Sequence, residues 1–139
     1  LLYLKKYSKN SYEYSGYDIN PEMIEYCKKK FSNFFFKVSS IPVEKCDLTL
    51  ISGTYNYAVI DNVKLWERYL LFNLKQCYNQ SYEGVIFNLQ FSRKSKIINN
   101  IYYTNHDSMN IKLNDNFKRV YSFYDKNTEN DMYYVILKN

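Results

Sequence analysis

The stretch 14–31, Tyr-Ser-Gly-Tyr-Asp-Ile-Asn-Pro-Glu-Met-Ile-Glu-Tyr-Cys-Lys-Lys-Lys-Phe, sets one carboxylate where it could do chemistry. It reads as a short strand, 14–18, that ends in Asp18 and turns at once into a helix. Asn20 suits the N-cap, Pro21 the first helical position, and Glu22 the positive end of the helix dipole. Met23, Ile24, Cys27 and Phe31 then form one apolar face at helical spacing. Open α/β sheets bind nucleotide-like ligands at the carboxyl ends of their strands. An acid there can accept both hydroxyl hydrogens of a ribose, and Ile19 beside it can lie against a purine face.

Three more polar points fall at the ends of expected strands. Ser39 and Ser40 follow a strand at 34–38. Ser52 and Gly53 close a buried strand at 48–52, and Asn88 closes an apolar strand at 85–89. If these strands are parallel, the four points share one edge, and the small residues let a ligand approach the backbone.

The elements that must position these residues follow from periodicity. Leu1, Leu2 and Leu4 read as the last turns of a helix. Asp61 or Asn62 caps a second helix with the face Val63, Trp66, Leu70, Leu74 and Cys77. Glu83-Gly84 is expected to turn into 85–89, whose near-continuous apolar run suits a strand covered on both faces. The segment 92–116 is polar, with a short helix expected around 94–103 and loops after it. The runs 117–124 and 132–138 form an antiparallel hairpin across the Asn-, Asp- and Lys-rich 125–131. The expected fold is α/β, with a Rossmann-like, mainly parallel sheet, helices on both faces and a carboxy-terminal antiparallel hairpin. At 139 residues it is expected to be one domain, 1–139.

Composition narrows the function. The formal net charge of +5 is spread along the chain, and its densest run, 28–30, suits a solvated helix face, which weighs against nucleic acid as a partner. The 17 Tyr and 9 Phe go with an Asn-, Lys- and Ile-rich composition that an AT-rich coding sequence would produce. Cys27, Cys46 and Cys77 are widely spaced with no CxxC pair, as buried reduced thiols of a cytoplasmic protein would be. No apolar run reaches the length of a membrane span. One histidine and scattered cysteines make no usual metal set. His106, in Asn105-His106-Asp107, is the sole histidine and could serve as a base, although a loop histidine is more often merely solvated. Trp66 reads as a core anchor.

These residues together resemble the class I S-adenosylmethionine-dependent methyltransferases. Gly16-Tyr17-Asp18-Ile19-Asn20-Pro21-Glu22-Met23-Ile24 is similar to their second-strand motif, whose Asp binds the cofactor ribose. Cys46-Asp47-Leu48-Thr49-Leu50-Ile51-Ser52-Gly53 is similar to their fourth-strand motif. Gly84-Val85-Ile86-Phe87-Asn88 resembles their fifth strand, and the terminal hairpin their antiparallel sixth and seventh. The resemblance implies S-adenosyl-L-methionine as cofactor, held by Asp18, Ile19, Ser40, Ile41, Ser52 and Gly53. It also implies an acceptor pocket lined by Tyr55, Asn56 and Asn88, and methyl transfer to a small molecule or sugar with no assigned base.

Ser52-Gly53-Thr54-Tyr55 lacks the prolines of the amino-directed nucleic-acid enzymes. The family's first strand and glycine-rich loop have no counterpart, and 1–6 resembles the helix after that loop. The chain is therefore expected to be an amino-terminally truncated part of a longer enzyme. Two alternatives stand beside this reading. One is a nicotinamide-dependent oxidoreductase of Rossmann type. The other is a non-catalytic binding module, gripping RNA with its basic and aromatic surface.

Overall fold

A computed structural model describes residues 6, 8, 11–128 and 130–138. The expected helical turns over Leu1, Leu2 and Leu4 lie outside the described residues. The chain forms two compact units, Leu1–Val43 and Glu44–Asn139.

In the first unit, β1 (Ser15–Asp18) and β2 (Phe35–Val38) are joined through α1 (Pro21–Lys30). The two strands pair in parallel, with Ser15 opposite Phe35 and Asp18 opposite Val38. The helix starts where the sequence says it should. Asn20 Oδ1 accepts from the backbone N–H of Glu22 at 2.9 Å and of Met23 at 3.4 Å, and Pro21 needs no partner for a donor it lacks. At the other end, the Phe31 N–H donates to the Cys27 carbonyl at 2.8 Å. Ile24 and Phe36 are buried. Gly16 is needed for close packing, since a Cβ would lie 2.6 Å from two ring carbons of Phe36.

The second unit contains β3 (Cys46–Ile51), a 3-10 turn (Thr54–Asn56), α2 (Val63–Gln80) and β4 (Ser81–Gln90). It continues with β5 (Lys96–Ile98), β6 (Ile101–Tyr103), α3 (His106–Asn116), β7 (Arg119–Tyr124) and β8 (Asp131–Leu137). Asn62 caps α2 through its side-chain oxygen, which accepts from the Leu65 N–H at 3.1 Å. Four strands make one sheet in the order β3-β4-β8-β7. β3 and β4 are parallel, whereas β4–β8 and β7–β8 are antiparallel. Val85, Phe87, Leu89, Tyr134 and Ile136 are buried on one face, together with Trp66, Leu70, Leu74 and Cys77 of α2 and Met109 and Leu113 of α3. Stacking of the Phe87 and Tyr134 rings, 5.1 Å apart, closes the centre of this core.

This corrects the expected fold. The described strands make three separate sheets, β1-β2, β3-β4-β8-β7 and β5-β6, and not one mainly parallel Rossmann-like sheet flanked by helices on both faces. In the largest sheet two of the three pairings are antiparallel. The cause lies in β4, which runs on to Gln90 and gives its length from Gly84 to Gln90 to β8. Its residues alternate between buried Val85, Phe87, Leu89 and partly exposed Ile86, Asn88, Gln90, the pattern of a strand covered on one face. On the other face Leu50, Ile86, Val135 and Tyr121 stand in register across all four strands, with Leu50 and Tyr121 exposed.

Three local expectations also change, one of them the loops expected after 103, where α3 (His106–Asn116) stands, capped by Asn105. Gly84 is inside β4 and not in a turn before it. The helix expected around 94–103 is the hairpin β5–β6, closed by Asn99 and Asn100 at φ of 51° and 62°. Two consecutive left-handed residues match the right-handed twist of the flanking strands, and asparagine tolerates that conformation best after glycine. Among the described residues, no helix is long and apolar enough to cross a membrane.

Candidate functional site

In the first unit, Asp18 closes β1 and its Oδ1 accepts from the Asn20 N–H at 2.8 Å. That bond fixes the turn that leads into α1. The carboxylate is exposed, and Oδ2 has no protein partner among the described residues. Ile19 beside it is 71% exposed, so an apolar side chain sits in water next to an unshared carboxylate oxygen. The turn after β2 is built by Ser39. Its hydroxyl donates to the Ile41 carbonyl at 2.7 Å and accepts from the Ile41 N–H at 3.4 Å. Ser40 is exposed and Ile41 half-buried.

In the second unit, the carboxyl end of β3 meets the middle of β4. Gly53 has φ of 69°, and its N–H donates to Asn88 Oδ1 at 2.8 Å. Asn88 Nδ2 in turn donates to Asp131 Oδ2 at 3.1 Å, so one side chain ties the turn after β3 to the start of β8. Asn56 Oδ1 accepts from the Gln90 N–H at 2.9 Å, while its Nδ2 has no partner among the described residues. Ser52 is exposed at the strand end. Tyr55 is buried with its hydroxyl beside the Cys77 thiol, and its carbonyl accepts from Trp66 Nε1 at 3.1 Å. Burial, then the neighbouring Cys77, pushes the Tyr55 hydroxyl above its ordinary pKa.

The structure thus gathers Ser52, Gly53, Asn56 and Asn88 at one corner and sends Tyr55 into the core. Asn88 does not close its strand; it sits two residues inside β4. Asp131 joins this corner without having been singled out in the sequence. The only signal for it is an acid at the start of the last apolar strand.

His106 is not in a loop. It opens α3, where Nδ1 lies 3.3 Å from the Tyr134 hydroxyl and Nε2 lies 2.9 Å from Asn110 Nδ2. Both ring nitrogens therefore have partners inside the fold. A second polar cluster was not visible in the sequence. Glu67, 5% exposed, accepts from the Tyr102 hydroxyl at 2.8 Å and from Lys112 Nζ at 2.7 Å. The Tyr102 hydroxyl also lies 3.1 Å from Thr104 Oγ1, and burial raises its pKa. Among the described residues, no group of three His, Cys, Asp or Glu side chains could hold a metal ion.

No protein-family model matches the chain, and no curated protein matches it.

Proposed function

We propose that this chain takes part in S-adenosyl-L-methionine-dependent methyl transfer to a small-molecule or sugar acceptor. The observation that carries the reading is the geometry of Asp18. One carboxylate oxygen is spent on the turn into α1, the other faces solvent at the carboxyl end of a parallel pair, and exposed Ile19 stands beside it. A ribose diol offers two hydroxyl donors to such an oxygen, and a purine offers a flat apolar face to the isoleucine. In methyl transfer from a sulfonium, the protein chiefly supplies proximity and orientation. The lack of an evident base is therefore compatible with the reading. A cytoplasmic location goes with it, since Cys27, Cys46 and Cys77 are all free thiols.

The test is calorimetric titration of the chain with S-adenosylhomocysteine and, separately, with NAD+. Saturable binding of the first is expected. Asp18→Ala should weaken it about tenfold or more, the loss of a hydrogen bond to a charged group, with the circular dichroism unchanged. If S-adenosylhomocysteine shows no saturable heat, the proposal fails. If NAD+ alone binds, the acid belongs to a dinucleotide site.

A further inference from the structure

We infer that the 92–96 loop and the outer face of the β5–β6 hairpin form a docking surface for single-stranded nucleic acid. The inference lies wholly within the second unit and does not rest on the cofactor reading.

The loop Ser92-Arg93-Lys94-Ser95-Lys96 carries three cations in four residues, all exposed. Its backbone is closely tied. The Ser92 N–H donates to the Thr104 carbonyl at 2.8 Å, and the Ser92 hydroxyl to the Lys94 carbonyl at 2.6 Å. Asn105 adds two bonds, from its N–H to Ser95 Oγ at 2.9 Å and from Nδ2 to the Arg93 carbonyl at 3.0 Å. The charged ends, by contrast, have no carboxylate partner among the described residues. Among the other lysines, Lys28 reaches Glu25, Lys112 Glu67 and Lys45 the Asn79 carbonyl, and what sets 93–96 apart is that its cations are crowded on one tied loop. A fixed loop that holds three like charges together, without a counter-ion, raises the local positive potential around a shallow concavity lined by Ser92, Arg93, Lys94 and Lys96. The ligand that relieves this repulsion is an anion with more than one charge.

The adjoining surface indicates which anion. Lys96 Nζ lies over the Tyr103 ring, 5.3 Å from its centre. In the hairpin Lys96 pairs with Tyr103 and Ile98 with Ile101, while Tyr57 bridges Ile101 from the other side. These side chains share the outer face, because Tyr102 in the alternate register is fully buried. Tyr57 is 56% exposed and Ile98 48%. The hairpin is anchored by the Ala58 N–H, which donates to the Asn100 carbonyl at 2.7 Å. A basic groove beside one exposed aromatic ring, Tyr57, and a half-buried one, Tyr103, on an ordered sheet offers what phosphates and unpaired bases require together. The sequence-based expectation against nucleic acid rested on the 28–30 run, and this patch is a different one.

The experiment is fluorescence anisotropy of a labelled single-stranded RNA of about twelve nucleotides, a length within the usual site sizes. Binding is measured at about 50 and 200 mM salt, where affinity should fall steeply. The triple variant Arg93→Gln, Lys94→Gln, Lys96→Gln should lose about tenfold or more and flatten the salt slope by roughly 2. Tyr57→Ala should weaken binding at both salts and leave the slope unchanged. The control triple Lys28→Gln, Lys29→Gln, Lys30→Gln should bind like the parent. Absence of RNA binding at the lower salt overturns the inference. So does an equal loss in both triples, or an unchanged affinity in Tyr57→Ala. Binding of phosphatidylserine vesicles through 93–96, without RNA binding, overturns it in favour of a membrane surface.

Discussion

Lys112 Nζ on α3 lies 2.7 Å from Glu67 Oε2 on α2, and the other oxygen of that carboxylate accepts the Tyr102 hydroxyl. Three separate elements thus converge on one buried acid. Glu67 is almost fully enclosed, while about a third of the Lys112 side chain meets water. Removing the lysine leaves a buried charge with only a neutral partner. Lys112→Met is expected to cost about 2 kcal/mol in urea unfolding, below the usual loss for a fully buried pair because water reaches the lysine. The double variant Glu67→Leu, Lys112→Met should be less destabilised than the two single costs added together. Simple additivity would show that the two groups do not act as a pair.

Gly84 is the least replaceable residue of β4. Its φ is 158°, and an added Cβ would run into the carbonyl oxygen of Ile136 on β8. Since that atom is backbone in the centre of the sheet, the strands must part to make room. Gly84→Ala is expected to destabilise the second unit by more than ~3 kcal/mol, among the larger effects of single substitutions. A thermal melt followed by circular dichroism decides it. A melting temperature within a few degrees of the parent would mean that the sheet can shift.

Alkaline pH should destabilise the fold through its buried thiol and hydroxyls. Burial, helped by the nearby Cys46, pushes Cys77 up to about 11. A free thiol ionises near ~8.5. Below that pH the folded and unfolded chains are both protonated at Cys77, and its contribution is constant. Between the two values only the unfolded chain releases the proton, so stability falls as pH rises. Tyr55, Tyr102 and Tyr134, all raised by burial, act in the same sense above pH ~10. Melting temperature should therefore decline from about pH 9 upward. In Cys77→Ala the decline between about pH 9 and 10 should be shallower, and an identical slope would remove Cys77 from the explanation.

What could be read from the sequence was local. Of the apolar face read for α1, Ile24 is buried but Met23 is 48% exposed, whereas the Asn20 cap and the proline after it are set by neighbouring residues and appear as expected. The same holds for the Asn62 cap and the buried face of α2. Six of the eight described strands are visible in the sequence, but which edge pairs with which is decided by contacts far apart in the chain. The length of β4 is an example: its apolar run suggested five residues, yet pairing with β8 extends it to Gln90. The β5–β6 hairpin stands where the sequence suggests a helix, because polar residues surround two three-residue strands. Its signal lies in Asn99-Asn100 between β-branched and aromatic residues. Asp131 and the Glu67 cluster were hidden for a related reason. A buried polar group is recognisable only with its partner, and the partners lie at Asn88, Tyr102 and Lys112.

β4 takes its parallel neighbour from upstream across a single helix, and its antiparallel neighbour only after β5, β6, α3 and β7 have been traversed. The β7–β8 hairpin is local and can form early, whereas the β3–β4 pairing joins residues as far apart as Leu50 and Ile86, with all of α2 between them. Joining the hairpin to β4 pairs residues further apart still, such as Phe87 with Tyr134, although the entropy of closing a loop grows only slowly with its length. Until the hairpin joins, one side of the central strand has no hydrogen-bonding partner. Refolding of the second unit therefore has one quick local step, the β7–β8 hairpin, and two slower ones that bring β3 and the hairpin to the two sides of β4.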